Sequence, residues 1–270
     1  MKKGLFILLI FCFSLTVISC GDLKEESTTT DTTAPVIAEV TAVTTPTNDS
    51  TPDYTFSSDE AGTITYGGSC SSSTSIVISG NNTITLNSLS DGTYSDCTIA
   101  IRSSTGYLSN ILTITSFIVD STAATLTEVT AVTTTNDNTP NYIFSSSEAG
   151  TITYGGSCSS STTSVTTGSN TITLVSLSEG TYSDCTITVT DTSSNSVTLN
   201  ISSFVIDTTA PTIAEVTVVT TPNTGTTPNY TFSSDEAGTI TYGGSCSSST
   251  TSAISGNITI TLISLSEGTY

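Results

Sequence analysis

The sequence predicts an all-β protein made of tandem small sandwich domains. Three observations carry that expectation. Tyr54, Tyr142 and Tyr230 recur at a spacing of 88 residues, and Cys70, Cys158 and Cys246 do the same. Between them, short runs alternate apolar and polar residues and are separated by turn-forming clusters. Beyond the first twenty residues, no long stretch carries a helical period. A repeat of 88 residues is the size of one small domain rather than one turn of a solenoid.

The stretch EAGTITYGGSCSSST occurs without change at Glu60–Thr74, Glu148–Thr162 and Glu236–Thr250. The copies join at DTTAP (Asp31), DSTAA (Asp120) and DTTAP (Asp207). These landmarks predict domains at 34–120 and 121–207, and an incomplete third at 208–270.

Seven strands are expected in the first copy. Val36–Val43 comes first. Asp53–Ser58 places Tyr54 and Phe56 on one face, and Gly62–Gly67 does so with Ile64 and Tyr66. Ser75–Ile78 is a short fourth strand. Thr83–Leu89 carries Ile84 and Leu86. Tyr94–Arg102 carries Cys97, Ile99 and Ile101 in phase. Asn110–Val119 carries Leu112 and Ile114, then Phe117 and Val119 out of phase, which implies a bulge or bend near Ser116. Seven short strands in under ninety residues is the pattern of an immunoglobulin-like sandwich.

The N-terminus predicts the compartment. Two lysines precede the apolar run GLFILLIFCFSLTVIS, which is short for a membrane-spanning helix, so residues 1–19 read as an export signal. The run ends in Val17-Ile18-Ser19-Cys20, which resembles the lipobox of bacterial lipoproteins. That resemblance implies cleavage before Cys20, acylation of its thiol and new amine, and attachment to the membrane through the lipid. An ordinary signal peptide with an incidental Cys20 is the alternative. Residues 20–33 form a polar tether. Gly21 stands where an inner-membrane retention signal has Asp, which directs the expectation to the outer membrane. Lys24-Glu25-Glu26 resembles the Lys-acidic-acidic export signal of surface lipoproteins, and it also fits a plain solvated linker.

Charge excludes one class of partner. Without its signal the chain keeps two basic residues, Lys24 and Arg102, against 23 acids. That balance repels phosphate backbones, so nucleic acid is disfavoured. It favours solubility and cation binding.

DTTAP, the segment LSEGTY before a strand, the VTDTSSN turn and the closing SFVID resemble the bacterial Ig-like domains of surface proteins and large adhesins. The likeness runs from about residue 34 to 270. The first copy departs from it, with Ile101-Arg102-Ser103 where the second has Val189-Thr190-Asp191.

The resemblance implies a pairing for the cysteines. In an Ig-like sandwich the third and sixth strands are antiparallel neighbours, which sets Cys70 beside Cys97 and Cys158 beside Cys185. Export delivers both pairs to an oxidising compartment, so two disulfides are expected. Metal binding is the rival reading, disfavoured because there is no His and no Cys-x-x-Cys. Cys246 lacks a counterpart, because its partner would lie three residues past the final Tyr270. The expectation is a fragment of a longer protein. Tyr94, Tyr182 and Tyr270 stand where such folds place a tyrosine corner; a core aromatic is the alternative.

Catalysis is not expected. Without His there is no Ser-His-Asp or Cys-His arrangement, and Gly67-Gly68 has no Lys for a phosphate loop. Asp59-Glu60 and Asp235-Glu236 suggest paired carboxylates, but Ser147 breaks the pair in the middle copy. No other cofactor is expected with certainty, and calcium is the ligand the hard oxygens suit. In related adhesins it occupies domain junctions, which makes Asp120 and Asp207, Asp191, and Glu128 and Glu215 the candidate ligands. Plain surface acidity explains the same residues.

The leading expectation is a non-catalytic surface lipoprotein acting as a disulfide-stiffened stalk or adhesin. Loops rich in Tyr, Ser, Gly and Asn suit a host or neighbouring-cell glycan or protein. The stalk of a larger surface enzyme, with its catalytic domain beyond residue 270, is the alternative, and a calcium-regulated binding module is a third.

Overall fold

The computed structural model describes residues 31–270. The expected signal peptide, Cys20 and most of the tether lie outside the described residues. Every regular element among the described residues is a β-strand. The first copy holds β1 (Ile37–Thr41), β2 (Asp53–Ser58), β3 (Gly62–Gly67), β4 (Ile76–Val77), β5 (Gly80–Thr85), β6 (Gly92–Tyr94), β7 (Thr98–Ser103), β8 (Leu112–Thr113) and β9 (Phe117–Val119). The second holds β10 (Leu126–Thr130), β11 (Asn141–Ser146), β12 (Gly150–Gly155), β13 (Ser164–Val165), β14 (Gly168–Thr173), β15 (Gly180–Tyr182), β16 (Thr186–Thr190), β17 (Ser196–Asn200) and β18 (Phe204–Ile206). The third holds β19 (Ile213–Thr217), β20 (Asn229–Ser234), β21 (Gly238–Thr239), β22 (Ser252–Ala253) and β23 (Gly256–Thr261).

The chain gathers into two compact units. The first takes the described residues up to Ala42, with Asp53–Asn87 and Asp96–Thr115. The second takes Val43–Pro52, Ser88–Ser95 and Ser116–Tyr270.

The first unit has two antiparallel sheets, ordered β1-β2-β5 and β4-β3-β7-β8. Alternation decides which side chains turn inward. Tyr54, Phe56, Ile64, Ile84, Ile99 and Ile101 are all buried, while their neighbours in sequence face out. β1 carries a bulge between Glu39 and Thr41.

The second unit contains the whole of the second copy, where the sandwich is complete. One sheet is β10-β11-β14 and the other β13-β12-β16-β17, with β15-β18 as a separate pair. Tyr142, Phe144 and Ile172 from the first sheet meet Ile152, Ile187 and Val189 from the second in one cluster. Phe204 and Ile206 of β18 join the same cluster. The all-β, tandem-sandwich architecture expected from the sequence is the observed one.

Some strand boundaries differ from expectation. The expected strand over Tyr94–Arg102 is two strands in different sheets: β6 pairs β9, while β7 pairs β3 and β8. The expected strand over Asn110–Val119 divides likewise into β8 and β9. The chain changes sheets at Ser95-Asp96-Cys97 and again before Phe117, so nine strands replace seven. The fifth strand starts earlier than expected, at Gly80. The Asn82 side chain ties off the preceding loop by accepting the Ile78 amide at 2.9 Å and donating to the Ile78 carbonyl at 2.8 Å. That leaves the Asn81 and Asn82 backbone to pair with β2.

Gly68 and Gly156 have positive φ, 74° and 71°. A Cβ on either would run into the carbonyl oxygen of Asp96 or Asp184. Gly168 also has positive φ, 99°, but open space around it. Gly156→Ala is therefore expected to cost about 2–4 kcal/mol, and Gly168→Ala about 1–2 kcal/mol from backbone strain alone. Calorimetry of the two variants tests the order; equal losses would refute it.

Candidate functional site

The disulfides form the first feature. Cys70 is bonded to Cys97 and Cys158 to Cys185, with Cα atoms 5.2 Å apart in each. All four cysteines are buried. Each bond joins the loop after one strand to the residue just before its antiparallel partner. In the second copy that ladder runs Gly155↔Thr186 to Thr151↔Thr190. The approach is close because Gly156 lets the chain turn against Asp184, and the Ser157 hydroxyl donates to the Asp184 carboxylate at 2.8 Å. That hydrogen bond holds the exposed Asp184 carboxyl below its ordinary range. Closing a loop of 27 residues stabilises by about 3–4 kcal/mol on the chain-entropy model.

The tyrosines of LSEGTY and its counterpart also tie down turns. Tyr94 donates its hydroxyl to the Ser90 carbonyl at 2.9 Å, and Tyr182 to Ser178 at 2.9 Å. Tyr182 stacks on Phe204, ring centroids 5.3 Å apart.

The second feature is an acidic cluster. Carboxylate oxygens of Asp120, Glu148 and Asp191 lie within 4.8 Å of one another. Asp120 follows β9. Glu148 stands in the turn before β12, and Asp191 follows β16. The turn at Asp191 is built by its own carboxylate, which accepts the amides of Ser193 at 2.8 Å and Asn195 at 2.9 Å. It thereby holds Ser194 at a positive φ of 74°. Ser193 and Asn195 then bond Asp120, through its carboxylate at 3.0 Å and its carbonyl at 2.8 Å. Glu148 accepts no such bond among the described residues. Burial first, then the charges of Asp120, Asp191 and Asp91, push its carboxyl above the usual range.

Of the residues expected to hold calcium, the structure brings together Asp120 and Asp191 and adds Glu148. It leaves the other three outside that cluster. Asp207 sits in a hollow of about 440 Å³ with Glu179 and Glu236. Burial first, then Asp207, Asp235 and Glu179, raises the Glu236 carboxyl. Glu128 gives both oxygens to Ser202, accepting its amide at 3.0 Å and its hydroxyl at 2.7 Å. Burial alone would raise Glu128, but the Ser202 bonds outweigh it and hold the carboxyl low. In return the buried Tyr142 phenol is pushed well above its ordinary value, by burial first and then by Glu128. Glu215 lies beside Tyr230, whose phenol is raised by burial and then by that carboxylate.

Ser103, the departure in the first copy, performs the turn-building part of the Asp191 role without its charge. Its hydroxyl accepts the Tyr107 amide at 3.1 Å. Sequence reasoning misses Glu148 as a metal candidate because all three copies carry that glutamate in an ordinary turn. Asp59 and Asp235 also prove structural: each accepts the backbone amide of an incoming strand segment, Val36 or Thr212, at 2.7 Å. Ser147 does the same for Thr125 at 2.8 Å.

Glu148 and Glu128 predict opposite pH behaviour. A carboxyl whose folded pKa is raised stabilises the fold while protonated and loses that stabilisation as pH rises through the folded value. Glu148→Gln should therefore raise the melting temperature at pH 7 by about 1–4 °C at low salt, with the gain fading below the carboxylate range. Glu128, held low, stabilises above its unfolded pKa and loses this as pH falls. Glu128→Gln should lower the melting temperature at pH 7 and converge with the parent in acid. Melting curves across about pH 3–8 check both signs; identical curves for the two variants would refute the assignment.

No family model matches the chain, and no curated protein matches it. One solved structure, a tetra-tandem repeat in the extending region of a large adhesion protein, aligns with 86% of this chain at 19% identity and a TM-score of 0.26. This chain spans 66% of the length of that structure. A likeness at that score carries no weight for function.

Proposed function

We propose that the chain is the non-catalytic spacer of an exported, lipid-anchored surface protein, in which each sandwich is clamped by its own disulfide. The observation that carries this reading is the recurrence of one bond, Cys70–Cys97 and Cys158–Cys185, at the same ladder position in successive copies. Such bonds persist outside the cytoplasm. The apolar N-terminal run ending at Cys20 supports export and acylation, Gly21 supports the outer membrane, and Lys24-Glu25-Glu26 supports the cell surface. On this reading the domains run 34–120, 121–207 and 208–270. The side chains that stand together at Asp120 and around the disulfides serve turns and strand entries, which supports a mechanical role over a chemical one. Adhesion to a glycan or protein on a host or neighbouring cell is the use such a spacer suits.

Stretching single molecules of the oxidised chain tests the clamp. With Cys158–Cys185 intact, unfolding of the second copy should release about 90 Å less contour length than after reduction, since 27 residues at about 3.5 Å each stay closed. Equal lengths in both states would remove the clamp. Radiolabelled fatty acid should enter the full-length chain in bacteria and be lost in Cys20→Ala. Label retained by the variant would remove the anchor.

Within that spacer, calcium is the ligand to test at Asp120, Glu148 and Asp191. Relief of the repulsion felt by Glu148 supports it. Calcium should raise the melting temperature of the parent more than that of Glu148→Gln; an equal shift would reduce these acids to surface charge.

A further inference from the structure

The outer face of the four-stranded sheet differs in chemistry between the first two copies. In the second copy the ladder sets Ser164, Thr151, Thr190 and Ser196 side by side in one row, and Thr153, Thr188 and Thr198 in the next. Each of these carries a hydroxyl and none a charge. The Thr190 and Ser196 hydroxyls bond each other at 2.7 Å, and those of Thr188 and Thr198 at 2.8 Å. In the first copy the row equivalent to the first is Ile76, Thr63, Arg102 and Leu108. The next row holds Thr65 and Ala100. Ile111 joins that face, because its neighbour Leu112 turns inward opposite the buried Ile99. Ile76 is 73% exposed, Ile111 70% and Leu108 48%.

Arg102 stands between these aliphatic residues, and it is the one basic residue between positions 31 and 270. Its guanidinium donates to the Gly106 carbonyl at 2.9 Å, which holds the exposed side chain at the Leu108 edge. No carboxylate stands among the residues that these two rows set on the face. The face also adjoins the point where the chain enters the domain. The Asn110 side chain accepts the Ile37 amide at 3.0 Å and donates to the Ile37 carbonyl at 3.0 Å, so Ile111 sits next to the entering strand. Sixteen residues separate Cys20 from Val36. Even at full stretch they keep that entry within about 55 Å of Cys20.

We infer that this face of the first copy rests on the surface of the bilayer that carries the lipid, an inference that builds on the proposed anchor at Cys20. Ile76, Leu108 and Ile111 enter the boundary between headgroups and acyl chains. Arg102 lays its aliphatic stem along them and offers its guanidinium to a headgroup phosphate. The tether keeps the face at high local concentration near the membrane, so three aliphatic side chains suffice where they would be too few for a free protein. A second copy of the chain fits the face less well, because it would set Arg102 against Arg102 with no carboxylate on the face to pair with. Glu60, exposed in the turn at the same end of the sheet, favours a zwitterionic surface over an anionic one. The hydroxyl rows of the second copy have nothing to insert. The contact gives the first copy a non-covalent hold on the membrane and restricts its swivel on the tether.

The experiment uses the chain from residue 20 onward, which keeps every described residue, with Cys20→Ser and an N-terminal polyhistidine tag. The tag binds it to phosphatidylcholine vesicles through a nickel-chelating lipid. This tether needs no acylation, so the result stands apart from the fatty-acid label that tests the anchor. The chain has no Trp. Ile111→Trp therefore gives a single reporter on the face, and Thr198→Trp gives one on the hydroxyl rows of the second copy. The expected result is blue-shifted emission from I111W on vesicles, quenched by brominated phosphatidylcholine at least about fivefold more than T198W. Leu108→Asp added to I111W should remove most of that quenching. Ile76→Asp, at the opposite edge of the row, should act likewise, so the loss does not hinge on one turn. Equal quenching of I111W and T198W, quenching of neither, or quenching of I111W that survives both aspartates would overturn the inference. So would a blue shift of I111W that grows with protein density and escapes the brominated lipid, since the face would then pack on a second copy.

Discussion

The main-chain ladder between β12 and β16, and its twin between β3 and β7, is the constraint on which the rest of each sandwich depends. β16 brings three things at once: hydrogen-bond partners for β12, the apolar side chains Ile187 and Val189, and the cysteine that locks the pair. Each reinforces the others. The ladder sets which residues point inward, the inward residues seal Phe144 and Tyr142, and the disulfide keeps the strands together between openings. Thr, Ile and Tyr all favour strands, and GTITYG meets that preference as β3 and as β12, each laddered to its partner. The β-forming tendency of those residues is a tendency to fit a paired, half-buried surface.

A second constraint follows from composition. Twenty-three acids share the chain with four bases, so carboxylates cannot be satisfied by ion pairs. They are satisfied by the hydroxyl and amide donors of the abundant Ser and Thr. Asp91 accepts the Ser121 amide and hydroxyl, Asp49 those of Thr51, and Glu39 those of Thr115. Hydrogen bonds to an ionised acceptor are stronger than neutral ones, so these contacts fix loops that have little apolar surface to bury. Glu148 and Glu236 depart from this, both with raised carboxyls. Among the described residues Glu148 has no such donor and three acidic neighbours, and its carboxyl is raised where Glu128 is lowered.

Much of the sandwich is legible in the residues because its signals are local. Alternation marks β2 and β3 to the residue, and the cysteine spacing matches the ends of one ladder. The sheet change near Cys97 leaves a fainter mark. Tyr94 and Cys97 are three positions apart, and both are turned at least partly inward, which a single uninterrupted strand does not allow. The phase break between Ile114 and Phe117 is the same signal, and in sequence alone it reads as a bend within one strand. The candidate site is less legible. Asp120 and Asp191 meet because a turn residue about seventy positions downstream returns to the junction, and nothing in the spacing marks Glu148 as their neighbour. Glu128 and Asp120 look alike in sequence; only the link between β17 and β18, which carries Ser202 past Glu128, separates their roles.

Near-identical neighbours raise a hazard that the disulfide answers. β3 and β12 have the same sequence, and β7 and β16 offer similar strands, so β3 could take β16 from the next copy with almost the same contacts. Exchange of this kind is a characteristic failure of repeat proteins. Chain entropy discriminates weakly. Cys70 lies 27 residues from Cys97 and 115 from Cys185, and the difference in loop closure favours the nearer partner by only about 1.3 kcal/mol, or roughly ninefold. A preference of roughly ninefold leaves about one chain in ten mispaired if pairing stays reversible at that stage. On the exported-spacer reading, oxidation of the nearer pair while the chain emerges removes the choice, because Cys97 is available before Cys185 exists. On that reading the bond does more than add stability to a finished sandwich: it commits each acceptor strand to its own partner before the next copy's equivalent arrives.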